Sequence, residues 1–95
     1  MLKDTQASAL AELFRAFSDP SRLKIIAALV QGELNVGGIA EAVGLSESAT
    51  SHHLRGLRQM QLVRTRKEGR QVYYSLMDDH VNQLFQTGRN HILHG

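Results

Sequence analysis

The sequence predicts a mainly α-helical domain with one β-hairpin, in the order four helices, two strands and a final helix. Three observations carry this. Apolar residues recur at helical spacing from Leu10 to Leu57 and again from Val81 to Ile92. Between those stretches, Leu62 to Leu76 changes period and is enriched in Val and Tyr, as strands are. Aromatic residues are 5% of a chain that is 42% hydrophobic, so the core is mostly Leu, Ile, Val and Ala, which suits packed helices. The 95 residues are read as one domain, 1–95. A core this small commonly gains stability by dimerising.

The first helix is expected from about Thr5 to Phe17, with Leu10, Leu13, Phe14 and Phe17 as its apolar series. Asp19 can cap a second helix, and Pro20 suits its first position, where no amide donor is needed. That helix turns Leu23, Ile26, Ala27 and Val30 inward and ends at Gly32. Glu33 to Val36 reads as an extended connector. Ile39, Ala40 and Val43 mark a short third helix closed by Gly44, and Ser46 can cap a fourth with Thr50, Leu54 and Leu57 inside. Leu62–Arg66 and Gln71–Leu76 are the strands, with Lys67-Glu68-Gly69-Arg70 as the turn; the last helix starts near Asp78.

The segment from Ile39 to Ser46 has the logic of a helix-turn-helix. Two helices crossing closely need a small residue at the contact, here Ala40, and the turn needs a left-handed residue four positions on, here Gly44. With the hairpin following as a wing, the class is a winged helix-turn-helix. The outer face of the fourth helix carries Ser48, Ser51, His52 and Arg55, suited to base edges and phosphates in a major groove; Ser46 and His53 join the candidate DNA contacts. His52 and His53 point about 100° apart and do not chelate one ion together. Ser51 beside His52 lacks the acid and oxyanion donors of a hydrolase, so no enzyme is expected.

Net charge is only +2, but six of the eleven basic residues lie between Arg55 and Arg70, where Glu68 is the one acid. Such a block suits a polyanion. Arg64 and Arg66 alternate with Val63 and Thr65 and share a face, while Lys67 and Arg70 flank the hairpin tip, so all four are candidate phosphate contacts. At least one of Tyr73 and Tyr74 is expected to pack in the core.

The order of elements, together with Ser-Glu-Ser-Ala-Thr-Ser-His-His-Leu-Arg-Gly-Leu at 46–57, Gly-Arg-Gln-Val-Tyr-Tyr-Ser-Leu at 69–76 and Phe-Ser-Asp-Pro-Ser-Arg-Leu at 17–23, resembles the ArsR/SmtB family of bacterial metal-responsive repressors. The resemblance covers nearly the whole chain. Thr50 departs from it, since the family often has an aliphatic residue there.

Val81, Leu84, Phe85, Gly88 and Ile92 form one stripe of the last helix. An apolar terminal helix in so small a domain needs a partner, and its symmetry mate is the economical one, with Leu10, Leu13 and Phe14 of the first helix alongside. Beside the stripe sit Asp78, His80, His91 and His94. His80 and His91 are roughly 16 Å apart along the axis and cannot share an ion within one chain. Antiparallel packing of two copies would bring Asp78 and His80 of one to His91 and His94 of the other. Those four N/O donors suit tetrahedral Zn(II) or Co(II). Read alone, these residues fit a solvated helix flank better than a metal site, and Asp79 is the alternative to Asp78. The resemblance implies the metal site, since Asp78-x-His80 followed by His91-x-x-His94 is similar to that of the family's zinc sensors. It implies a dimer that binds an inverted-repeat DNA operator and releases it on metal binding. It also implies a relay from His91 to the end of the recognition helix near Gln61.

Cysteine is absent, which removes thiolate sensing of arsenite, lead or cadmium and sulfide or redox sensing by thiols. Ni(II) accepts imidazole but would want more ligands than these four. No apolar run approaches 18 residues, and Met1 to Ser8 is polar, unlike a secretory leader, so a cytoplasmic protein without membrane contact is expected. A metal-independent regulator, a zinc-buffering protein and an enzyme using His80 or His91 as base are the rival readings.

Overall fold

The computed structural model describes residues 1–94. Its elements are α1 (Asp4–Phe17), α2 (Pro20–Val30), β1 (Leu34–Asn35), α3 (Val36–Val43), α4 (Glu47–Gln59), β2 (Val63–Glu68), β3 (Gln71–Leu76) and α5 (Asp79–His94). The expected order holds, with one addition. The connector after α2 pairs with the hairpin, giving an antiparallel sheet in the order β1-β3-β2, with Leu34 opposite Tyr74 and Asn35 opposite Tyr73.

Helix α2 lies at the centre. Ile25, Ile26 and Leu29 are buried, whereas Leu23, Ala27 and Val30 are half-buried. The expected inward set therefore rotates, because α2 is covered from several sides and not from one. Ala16 of α1, Ile39 of α3, Leu54 and Leu57 of α4, Leu62, Val63 and Val81 complete the core. Each fully buried Ile or Leu contributes about 1.5–3 kcal/mol of transfer free energy.

Asp19 occupies the N-cap position of α2 and Pro20 its first turn, but the Asp19 carboxylate makes no capping bond. Its Oδ2 lies 3.3 Å from Nδ1 of His53 on α4 instead. The hairpin turn is also tighter than expected. β2 runs on to Glu68, which pairs with Gln71, leaving Gly69-Arg70 as a two-residue loop. Gly69 has φ 61° at the first loop position, the arrangement that favours glycine there.

Candidate functional site

The helix-turn-helix is built from local chemistry. Asn35 caps α3, its side chain accepting a 2.8 Å hydrogen bond from Gly38 N–H. Gly44 ends α3 in the left-handed region (φ 73°, ψ 34°), and its N–H donates to Ala40 O at 2.9 Å. Ala40 is buried at the α3 crossing. Ser46 then caps α4, its Oγ accepting from Ala49 N–H at 3.0 Å. Thr50 is fully buried, and its hydroxyl donates to Ser46 O at 2.8 Å, so the departure from an aliphatic residue leaves no unsatisfied group.

Ser48, His52 and Arg55 are exposed on α4 and Ser51 is half-buried beside them. The His52 and His53 rings meet edge-on with centroids 5.8 Å apart, so they are not arranged to grip one ion. His53 is half-buried and faces α2, where its Nδ1 accepts from Arg22 Nε at 3.4 Å and Asp19 Oδ2 lies 3.3 Å from the same nitrogen. The Arg22 guanidinium in turn lies over Gly56; a Cβ there would come within 2.5 Å of its Nη2. This cluster ties α4 to the start of α2, a role the spacing of the histidines did not reveal.

On the wing, Arg64 pairs with Ser75 and Arg66 with Tyr73 in register, confirming that both arginines share a face. Their environments differ. Arg64 is exposed and its Nε reaches Ser75 Oγ at 3.4 Å. Arg66 donates from Nη2 to Glu33 at 2.6 Å, from Nε to Glu33 at 3.3 Å and from Nη1 to Glu68 at 2.8 Å, and it stacks over the Tyr73 ring at 5.0 Å. The hydrogen bond from Arg66, with the attraction of Arg66 and Arg64, holds the Glu33 carboxyl below the usual glutamate value of 4.5, outweighing desolvation. The bonds from Glu33 and then Glu68 raise the Arg66 guanidinium further. Tyr74 packs against the core, while Tyr73 sits under Arg66. Lys67 and Arg70 are exposed at the tip.

Helices α1, α2 and α5 enclose an open apolar groove of about 560 Å³ lined by Phe14, Phe17, Leu23, Leu84, Phe85 and Ile92, among others. Leu10, Phe14, Ile92 and Leu93 are exposed there or beside it, Ile92 at 81%. Leu84, Phe85 and Gly88 line the groove, and Leu13 is half-buried against the core. Val81 does not belong to this face: it is 6% exposed and packs in the protomer's own core. Leu93 beside the stripe, Phe17 of α1 and Leu23 of α2 do belong, because the groove is wider than one stripe of α5.

Asp78 precedes α5 and caps it, Oδ1 accepting from Val81 N–H at 3.3 Å, while Oδ2 lies 3.6 Å from Nδ1 of His80. Asp79 is engaged elsewhere, accepting a 2.7 Å bond from Gln83. His91 and His94 are exposed in the last turn. Among the described residues, one chain brings no three carboxylate or imidazole groups together. Both side chains of the Asp78–His80 pair are accessible, His80 at 90%. No helix among the described residues is long and apolar enough to cross a membrane.

A capped helix pair joined by a left-handed glycine turn, followed by a basic two-stranded wing, defines a winged helix-turn-helix protein. Residues 19–65 match the model of the arsR family of bacterial regulatory proteins. The chain is 49% identical over 87 residues to a transcriptional repressor SmtB homolog of Synechocystis sp., covering 92% of this chain and 66% of that protein. It is 43% identical over 83 residues to a cadmium resistance transcriptional regulatory protein CadC homolog of Staphylococcus aureus, covering 86% and 69%. A solved homodimeric winged helix-turn-helix DNA-binding domain from Mycobacterium bovis superposes with a TM-score of 0.82 at 32% identity, covering 94% of this chain and 85% of that one. The chain therefore belongs to the arsR family, whose members are regulators and not enzymes. It spans about two thirds of the length of the curated relatives it matches.

Proposed function

We propose that this protein is a dimeric, metal-responsive transcriptional repressor acting in the cytoplasm. The observation that carries the reading is the placement of Asp78–His80 at one end of α5 and His91 and His94 at the other, flanking an apolar groove open to a second copy. Two copies crossing through Leu10, Phe14, Leu84, Phe85, Gly88 and Ile92 would cover that groove, and the homodimeric neighbour supports such an assembly. Each metal site would take Asp78 and His80 from one protomer and His91 and His94 from its partner. These N/O donors fit Zn(II) or Co(II); the likeness to a cadmium resistance regulator supports metal response in general.

In the metal-free dimer, α4 enters the major groove of an inverted-repeat operator. Ser48, Ser51, His52 and Arg55 contact bases and phosphates, Ser46 reaches the backbone through its hydroxyl hydrogen, and Arg64, Lys67 and Arg70 lie along the phosphates. Bound metal supplies a cross-link between the two chains, which fixes the relative placement of the two α4 helices. By linkage, a tenfold loss of DNA affinity on metal binding is about 1.4 kcal/mol of coupling, shared equally by the metal.

A DNA mobility assay with and without each divalent ion tests this. Zn(II) or Co(II) should release the operator, and His80→Ala with His91→Ala should abolish release while metal-free binding stays intact. Loss of metal-free binding in that double variant would make the histidines structural. If nickel alone releases the operator, the alternative of a nickel regulator holds; if no ion does, the signal is not a metal.

A further inference from the structure

The basic wing contains one guanidinium that is already taken. All three nitrogens of Arg66 donate to carboxylates: Nε and Nη2 form a fork on Glu33 and Nη1 reaches Glu68. The Tyr73 ring covers one face at 5.0 Å. Arg66 and its two carboxylates together carry a charge of −1, so this guanidinium offers a phosphate no uncompensated positive charge. A fork of this kind is the strong, geometrically specific form of the arginine–carboxylate pair, and networks of such pairs outlast isolated surface bridges.

The position of Glu33 gives the contact its purpose. Glu33 lies 33 residues before Arg66, just after Gly32, whose φ of 143° is open to glycine and strained for other residues. Two residues on, Asn35 both caps α3 and donates from Nδ2 to Gln71 Oε1 at 3.1 Å. The α2–α3 connection thus holds each wing strand by a side chain: Glu33 grips β2 through Arg66, and Asn35 grips β3 through Gln71.

We propose that Glu33 and Arg66 form a brace that sets the wing against the helix-turn-helix, and that Arg66 is a positioning residue and not a phosphate contact. The inference rests on the DNA-binding reading above. It assigns Arg64, Lys67 and Arg70 to the phosphates and takes Arg66 out of that set.

Charge alone and the brace predict opposite signs. Glu33→Gln removes a negative charge, so simple electrostatics tightens DNA binding; loss of the brace weakens it. The test measures anisotropy of a labelled random-sequence duplex across a salt series, for the full chain and for E33Q, R66Q, R66K and E33Q/R66Q. Amide exchange of residues 67–72 is followed in parallel without DNA. The brace predicts that E33Q, R66Q and R66K each weaken binding by about threefold. The double variant should be no weaker than either single one. The slope of log affinity on log salt should stay that of the wild type in R66Q, and wing exchange should quicken in every variant. The proposal is overturned if R66K binds like the wild type while R66Q loses about 0.9 of slope, if E33Q tightens binding, or if wing exchange is unchanged. Wild-type protein that ignores DNA would sink the DNA-binding reading, and wing exchange would still decide the brace.

Discussion

Gln61 holds a left-handed backbone (φ 58°) at the end of α4, where Leu62 N–H reaches Leu57 O at 2.9 Å and Gln61 N–H reaches Arg58 O at 3.0 Å. This is the paired-bond helix stop that glycine usually makes. A side chain there is strained by about 1 kcal/mol, so Gln61→Gly is expected to raise stability by roughly 0.5–1 kcal/mol in urea melts, with the midpoint shifting at constant slope. At Thr50 the Ser46 carbonyl already accepts the Thr50 N–H at 3.0 Å, so the hydroxyl bond is a second one. Thr50→Val therefore orphans no acceptor and should be neutral or stabilising by up to about 1 kcal/mol in the same assay. Glu33 sets a pH effect. Its carboxyl is held below its ordinary value of 4.5, so its contribution is present above that value and fades as pH falls through the lower, folded one. Acid titration of stability should show a smaller decline in this window for Glu33→Gln than for the wild type.

At the scale of elements, the recognition helix is held from two directions. Its own N-cap is Ser46, and its inner flank is tied to α2 by the hydrogen bond from Arg22 Nε to His53 Nδ1 and the seat of Arg22 over Gly56. Ser46→Ala should cost about 1 kcal/mol of stability. It should also weaken DNA binding, because the first turn of α4 carries Ser48 and frays without the cap. Asn35→Ala removes the α3 cap and the link to β3 together, so it should cost a similar amount and in addition quicken amide exchange in Gln71–Tyr73. The helix-turn-helix was legible from residue types because a cap, a small residue and a left-handed glycine act within a few positions. β1 was not: two residues show no alternation, and only pairing with β3 makes them a strand.

For the whole molecule, the groove between α1, α2 and α5 leaves apolar side chains of the protomer open to solvent. Phe14 is 49% exposed on the isolated chain, so Phe14→Asp should leave the fold intact. A charge in a covered apolar seam should instead dissociate the dimer, which sedimentation would report as a lone protomer, with loss of affinity for an inverted repeat exceeding that for a half-site. A dimer that survives this change would move the interface elsewhere.

Periodicity, caps and turn chemistry in the amino-acid string were sufficient to define the helix order, the hairpin, the recognition helix and the apolar character of α5, because each depends on neighbours a few residues away. The three-dimensional arrangement alone decided the rest. It turned His53 onto Asp19, drew Val81 into the protomer core and closed Glu33 onto Arg66, contacts that join residues far apart along the chain. A side chain's partner is set by which elements pack together, and a one-dimensional pattern carries the tendency to bury or expose a residue but not the identity of what it meets.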